Sequence, residues 1–370
     1  MSLTGLQIFK HLPGGKKEKE ANCKKCGFPT CMAYAMKLAK DLSLIDRCEY
    51  ISEELRSLLE DAGQKQQEEI IFGTNDNPVK VGNETVMFRH EKTFVNPACI
   101  AIKLDSDDPE FDKKLAEIYE YSIERVGEEF KIEAIALFDR GNAFIEKAQK
   151  IADLQKALII VSDNIDNIKS VLSELKYCKP IVYYKSNDTK AVSDLEKEFG
   201  VCITAFGNSI ETLIENSSLL IESGAKQIIL NIVEKSIPKD KIIETHTLIR
   251  RAAIEDKFKP LGFPVMSFVS SSGNVYQDAI LASVLLCKYS NIIILESFNK
   301  ALLSAIFALR QNIYTDPQKP LQVEPKIYEI GDVTKDSPVF VTTNFALTYF
   351  AVISEIEASG VPAYLLITPS

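Results

Sequence analysis

Between residues 98 and 296 the chain repeats one beat: a short apolar run, a polar break, then a stretch whose apolar residues recur at helical spacing. The runs are ACIAIKL (98–104), IEAIALF (132–138), ALIIVS (157–162) and PIVYY (180–184), then VCITAF (201–206), KQIILNI (226–232), FPVMSFV (263–269) and NIIILE (291–296). They are continuous rather than alternating, as parallel strands covered on both faces should be. Between them, DTKAVSDLEKEF, IETLIENSSLLIESG and VYQDAILASVLLCKY read as amphipathic helices. Eight such units fit a closed TIM-type (β/α)8 barrel over 94–320 better than an open doubly wound sheet.

The flanks follow other patterns. SLTGLQIFKHLP places Leu3, Leu6 and Phe9 on one helical face, with Ser2 or Thr4 as cap and Pro13 as stop. CMAYAMKLAKDL and ISEELRSLLEDAG predict two more helices, and GQKQQEE a polar linker. At the other end, RQNIYTDPQKPLQVEPKIYEIGDVTKDS reads as a connector. It is followed by a strand (339–342), a polar turn (Thr342, Thr343, Asn344), a helix (346–358) and a strand (363–367). This is the opening βαβ of an open α/β domain, whose ligands sit beyond the carboxyl ends of the strands. The predicted division is 1–60 helical domain, 61–93 linker and short hairpin, 94–320 barrel, 321–336 connector and 337–370 incomplete α/β domain.

Composition narrows the function classes. A length of 370 residues exceeds what one core usually supports, so two or three domains are expected. The net charge of −9 argues against nucleic-acid and anionic-membrane surfaces. MSLTGLQIFKHLP lacks the pattern of a secretory signal, and no run approaches the roughly 18 apolar residues of a membrane span. The expected compartment is therefore the cytoplasm, where disulfides are rare. The polar strand ends (DSDDP, DRGN, SDN, KSND, FGNS, VEKS, SSSG, ESFN) contain no histidine, and His11, His90 and His246 are scattered. Helix caps account for most of these ends, although Asp139–Arg140 could pair or bind an anion; the barrel reads as a scaffold or docking platform.

One cluster stands out. Four of the eight cysteines fall within residues 23–48, as Cys23-x2-Cys26-x4-Cys31-x16-Cys48. Gly27 and Pro29 supply the bends that turn the first three sulfurs toward one centre. A disulfide knot, a zinc site and an iron–sulfur cluster are the possible chemistries. Zinc usually takes two separated C-x2-C pairs, and the second pair is missing here. Three clustered ligands with a distant fourth suit a [4Fe–4S] cluster, with spacing unlike that of ordinary ferredoxins; zinc stays as the alternative. Cys99, Cys178, Cys202 and Cys287 stand alone and read as buried structural thiols.

The cysteine spacing, LTGLQIFKHLP, GNETVMFRHEKTF, RQNIYTDPQKP and SPVFVTTNFALTYF together resemble one family over essentially the whole chain. It is the large (gamma) subunit of the corrinoid iron–sulfur protein of the acetyl-CoA decarbonylase/synthase (Wood–Ljungdahl) system. The resemblance implies a small [4Fe–4S] helical domain held by Cys23, Cys26, Cys31 and Cys48, a TIM barrel, and a corrinoid-binding α/β domain. It places Thr342 and Thr348, with Thr343 and Asn344 nearby, on the first corrinoid-contacting segment, and no catalytic side chain is expected. It implies a heterodimer with a small barrel subunit. Cobalt of a cobalamin-type corrinoid, as Co(I), takes a methyl group from methyltetrahydrofolate or a methyltetrahydropterin on a methyltransferase and passes it to acetyl-CoA synthase. The cluster restores Co(I) from Co(II), which calls for an amino-terminal domain mobile on a 61–73 linker. No Asp-x-His-x-x-Gly sequence is present to supply a histidine ligand to cobalt. GGKKEKEA before Cys23 reads as an insertion, and family members continue past Ser370. The alternatives are an electron-transfer or interaction subunit without corrinoid, and a zinc-stabilised barrel enzyme.

Overall fold

The computed structural model describes residues 5–39, 42–56, 59, 66–175, 177–186, 188–233, 238–270, 272–316 and 321–369. It divides into two units, Met1–Lys65 and Gln66–Ser370. In the first, helices Gly5–His11 and Cys31–Leu38 and the helical residues 53–56 enclose a small core of Ile8, Leu12, Tyr34, Leu38, Leu55 and Leu59. Leu6, expected on the apolar face, is 62% exposed. Ile8 and Leu12, four residues apart, turn inward instead; Leu3 lies outside the described residues.

Of the stretch expected as linker, residues 61–65 lie outside the described residues, and the end of it is not a linker. Glu69–Thr74 is a strand paired antiparallel with Pro78–Gly82, and Ile70 and Phe72 alternate inward as a half-buried strand requires. Gly73 and Thr74 also pair with Lys179 and Cys178, just ahead of a barrel strand, so the hairpin closes the barrel's amino-terminal end.

All eight barrel strands form where the apolar runs predict them. They are β1 (Cys99–Asp105), β2 (Ala134–Phe138), β3 (Ala157–Ser162), β4 (Ile181–Tyr184), β5 (Cys202–Gly207), β6 (Ile228–Ile232), β7 (Met266–Val269) and β8 (Ile292–Leu295). Their order is β6-β5-β4-β3-β2-β1-β8-β7, all parallel. The circle closes through one bridge, Leu230 to Val265, where the Leu230 N–H donates to Pro264 O at 2.8 Å. Pro264 has no N–H to return, so a fuller ladder cannot form at this seam. Ile100, Ile102 and Leu104 face the helices while Cys99 and Ala101 face the barrel axis, and both sides are apolar. That is why the runs read as continuous.

The carboxyl-terminal sheet comprises β9 (Ile327–Ile330), β10 (Val339–Thr343) and β11 (Ala363–Thr368) in the order β9-β11-β10, with helix Ala346–Ser359 joining the last two. β10 and β11 are parallel, giving the expected βαβ. β9, in the stretch expected as connector, pairs antiparallel with β11, anchored by buried Ile330 and by Tyr328 against Tyr349. β10 is the sheet's edge, with Val339 and Val341 exposed.

His246, on helix Ile242–Ile254, is buried with both ring nitrogens lacking a hydrogen-bond partner among the described residues. Burial pushes its pKa down to about 4. The unfolded chain takes up the proton first, so stability present above pH ~6.5 is lost as pH falls toward 4, amounting to about 3 kcal/mol. His246→Leu should remove most of that loss, measured as urea unfolding of the barrel at pH 7 and 4.5. An unchanged pH dependence in the variant would refute the assignment.

Candidate iron–sulfur and corrinoid sites

The loop from Cys23 to Thr30 has no regular structure, and its backbone explains how it bends. Asn22, Lys24 and Gly27 all adopt left-handed conformations, at φ 56°, 64° and 84°. Left-handed residues set among ordinary ones aim backbone N–H groups into a concavity, the nest found at many phosphate and iron–sulfur sites. The Asn22 N–H donates to Cys31 Sγ at 3.3 Å, and the Cys31 N–H donates back to Asn22 Oδ1 at 2.8 Å. Cys31 opens helix Cys31–Leu38, whose first turn is capped by the Thr30 hydroxyl accepting from Ala33 N at 3.0 Å. Gly14 lies so close that an added Cβ would meet Cys31 Cβ at 2.8 Å. The expected insertion therefore begins against a cysteine.

Two ties bring the distant fourth cysteine back. The Tyr34 hydroxyl donates to Leu44 O and Ile45 O at 3.0 and 3.2 Å, pinning the returning turn to the helix. Lys25 reaches from between Cys23 and Cys26 to Glu49 and Tyr50, at 3.0 Å each. Burial pushes the Cys48 thiol up; the Tyr50 backbone N–H opposes this, and the sulfurs of Cys26, Cys31 and Cys23 add to the rise. Cys48 therefore stands in electrostatic reach of the other three sulfurs. Exposure is graded: Cys31 is buried, Cys26 and Cys48 are half-buried, and Cys23 is exposed. Among the described residues no three His, Cys, Asp or Glu side chains converge tightly enough to clasp a single ion. The donor set, four thiols on one short unit with backbone N–H groups on two of the sulfurs, fits an iron–sulfur cluster.

The other sequence-predicted residues gather at the carboxyl edge of the last sheet. Thr342 and Thr343 end β10, and Thr348 lies in the first turn of helix Ala346–Ser359. Thr343 and Thr348 are exposed and Thr342 is half-buried, so the hydroxyls are open to a ligand. Asn344 differs: it is buried, and its carbonyl accepts from Val323 N at 2.8 Å, so it fixes the turn rather than offering a free surface. Phe345, Leu347 and Phe350 are exposed beside them. Apolar surface beside hydroxyls suits a macrocycle with flat apolar faces and an amide-bearing rim.

Of the four cysteines expected as buried structural thiols, three are buried and Cys287 is not. Cys99, Cys178 and Cys202 are buried, and burial raises the Cys178 thiol to about 11 and the Cys202 thiol to about 12; Cys287 is half-buried. Several strand-end polar residues are caps: Asn164, Asp188, Ser209, Asn274 and Asn299 each accept a first-turn N–H. The polar groups of the barrel mouth that sequence reading missed lie inside the strand runs, Lys103 in ACIAIKL and Asn231 in KQIILNI. A lone polar residue in an apolar run is the signal that could have found them.

No helix among the described residues is long and apolar enough to cross a membrane. The family described as "CO dehydrogenase/acetyl-CoA synthase delta subunit" matches residues 69–369. A second, described as "Putative Fe-S cluster", matches residues 20–50, the segment of the four cysteines. The chain is 35% identical to the corrinoid/iron-sulfur protein large subunit of Moorella thermoacetica, over 99% of this chain and 82% of that one. It is 32% identical to the acetyl-CoA decarbonylase/synthase complex subunit gamma of Methanothermobacter thermautotrophicus, over the same shares. Among solved structures it is similar to dihydropteroate synthase from Thermus thermophilus, at TM-score 0.43 and 10% identity over 66% of this chain and 99% of that one, too weak a likeness to carry more. Because the large and gamma relatives align from the cysteine unit through the last sheet, the chain belongs to the family of corrinoid/iron–sulfur protein large subunits, the gamma subunits of acetyl-CoA decarbonylase/synthase.

Proposed function

We propose that the protein is the methyl-carrying subunit of an acetyl-CoA synthase system, holding a [4Fe–4S] cluster on Cys23, Cys26, Cys31 and Cys48 and a cobalamin-type corrinoid on its last sheet. The observation that carries the reading is Cys26, Cys31 and Cys48 packed in one small core, joined, in one chain, to a sheet edge bearing Thr342, Thr343 and Thr348. When bound, the corrinoid supplies the cobalt that carries a methyl group between a methylpterin-dependent methyltransferase and acetyl-CoA synthase, and the cluster supplies the electron that returns oxidised cobalt to its reactive state. The chain's own residues bind and orient. Four thiols suit a [4Fe–4S] cluster, which takes one thiolate per iron. The Asn22 N–H on Cys31 Sγ and the Tyr50 N–H on Cys48 would support an anionic, sulfur-rich cluster, which hydrogen bonds to sulfur stabilise. The threonine hydroxyls can hold the corrinoid's amide rim while Asn344 keeps the turn in register. A small barrel subunit completes the heterodimer, and the cysteine unit moves relative to the rest so that cobalt can meet each partner in turn.

An anaerobic absorption spectrum, recorded before and after adding cobalamin and the small subunit, tests this. Expected are a broad brown band that dithionite bleaches and corrinoid bands that stay with the protein through gel filtration. Thr342→Val with Thr348→Val should keep the brown band and weaken corrinoid retention at least about tenfold, as loss of two hydrogen bonds predicts. A brown protein that never retains cobalt, even with its small subunit, would make it an electron-transfer subunit instead. A colourless one would return the thiols to zinc.

A further inference from the structure

The barrel's upper end carries chemistry that neither the cysteines nor the last sheet uses. Side chains alternate along each strand, and the middle inward positions are small or aliphatic: Ala101, Ala136, Ile159, Ile181 and Ile294. Two residues onward, toward the carboxyl ends, the inward positions on several strands change character. Lys103, Phe138, Tyr183, Asn231, Phe268 and Glu296 line a cavity of about 440 Å³. Rings form one wall, with Phe138 and Tyr183 at 6.1 and 5.8 Å from Phe268. The ammonium groups of Lys103 and Lys185 stand 4.9 and 5.0 Å from the Phe138 centroid, and Arg140 joins them at the rim.

Three cations meet in this mouth, and they are not equally paired. Lys103 is held by Asp105 and Glu296, at 3.4 and 3.3 Å, and Arg140 Nε approaches Asp105 only to 3.9 Å. Among the described residues the Lys185 ammonium has no ion pair or hydrogen bond, and only the Phe138 ring lies against it. Desolvation lowers its pKa and Arg140 lowers it further; Asp163 opposes this, Lys103 adds to it and Asp105 offsets it, so neither carboxylate fully balances the cations. Opposite them, Asn231 is 1% exposed. Its Nδ2 donates to Met266 O at 2.8 Å, which fixes the amide's orientation because a carbonyl can only accept. That leaves Oδ1 buried at the cavity without a partner. An orphaned acceptor of this kind is destabilising unless a ligand satisfies it.

We infer that the barrel mouth is a separate binding site for a flat aromatic heterocycle bearing an N–H donor at one end and a phosphate or carboxylate at the other. The ring lies against Phe138 and Phe268, its N–H meets Asn231 Oδ1, and its anionic group meets Lys185 and Arg140. The volume suits such a molecule, and the carboxyl end of a (β/α)8 barrel is where ligands of this fold sit. Nothing in the site depends on the corrinoid or the cluster.

Isothermal titration of the full chain with adenosine 5′-monophosphate, folic acid and uncharged adenosine tests the inference, the first two separating phosphate from carboxylate. At least one anionic probe should bind with Kd below about 1 mM, and adenosine at least about tenfold more weakly than its monophosphate if the phosphate is the group recognised. Lys185→Gln, at the exposed rim, should weaken the binding about tenfold to a hundredfold, and so should Asn231→Leu. Lys185→Gln, at an exposed position, should leave the thermal midpoint unchanged; Asn231→Leu also loses the donation to Met266 O and should lower it, so its titration is made well below that midpoint. Failure of both anionic probes to bind, or binding that survives both substitutions unchanged, overturns it.

Discussion

Cys31→Ala is expected to abolish the brown absorption and reduce bound iron from about four per chain to below one. The substitution strikes the one buried thiol, at the start of the helix around which the unit is built. It removes a ligand and also the Sγ that accepts from Asn22 N, leaving the nest without the sulfur that orients it. The damage should spread beyond the metal. The unit spans only Met1–Lys65, and a core of that size rarely supplies more than about 3–5 kcal/mol. Cluster binding is then a large part of the unit's folding free energy. Cys31→Ala should therefore lose the helical signal of this unit at a lower temperature than the native chain while leaving the barrel transition in place. Cys23→Ala makes the graded comparison: its thiol is exposed on the loop, so part of the iron should remain. Iron analysis and circular dichroism on the same samples decide it. A Cys31→Ala protein that keeps four irons and its colour would show that this cysteine is not a ligand.

The sequence was most legible where one pattern served one purpose. The eight apolar runs became strands because in a closed barrel both faces of each strand are covered, so below the mouth few polar residues, such as Thr204 and Ser267, interrupt them. The four-cysteine spacing likewise implied a loop with bends, and Gly27 supplies one of them at φ 84°. Other features depended on pairing that spacing cannot reveal. IYEI looked like part of a connector because its surroundings are rich in proline, yet it becomes β9 by pairing with β11 far along the chain. Phe72 sat in a nominal linker, and only its place under the barrel makes it core. The ties that return Cys48, from Tyr34 and Lys25, join residues 10 to 25 apart with no periodic signature. Lys103 and Asn231 were hidden differently. Each lies within an apolar run, and only the inward or outward phase, set by the closed sheet, reveals which side it faces.

The second large effect is expected at the barrel's base. Arg250→Met should destabilise the barrel by about 3–5 kcal/mol, a large share of the 5–15 typical of a whole domain. The guanidinium is 3% exposed and meets Glu84, itself 2% exposed, at 3.4 Å. It also donates to Val86 O from Nε and Nη2, at 3.3 and 2.9 Å, and to Gln67 Oε1 at 3.4 Å. Phe94 and Tyr289 flank it. Gln67 passes the connection to Asn291, whose Oδ1 accepts from Val265 N, the residue that makes the single bridge across the β6–β7 seam. Removing the arginine leaves a buried carboxylate with only the weaker influence of Lys92 as countercharge, which is worse than removing both partners. Burial already holds the Glu84 carboxyl above its ordinary value, and Arg250 is the main influence pulling it down. Without the arginine the folded-state pKa rises further, so the folded variant holds its proton where the unfolded chain has released it. The variant's deficit should then be smallest below the ordinary glutamate pKa and grow as pH rises through neutrality. Adding Glu84→Gln to Arg250→Met should recover part of the loss and remove that pH dependence, because the remaining amide carries no charge. Guanidinium unfolding of the native chain, both single variants and the double variant at pH 5 and 8 measures all of this. A single Arg250→Met variant within about 1 kcal/mol of the native chain at both pH values would mean that packing around Phe94 and Tyr289, rather than this ion pair, holds the seam.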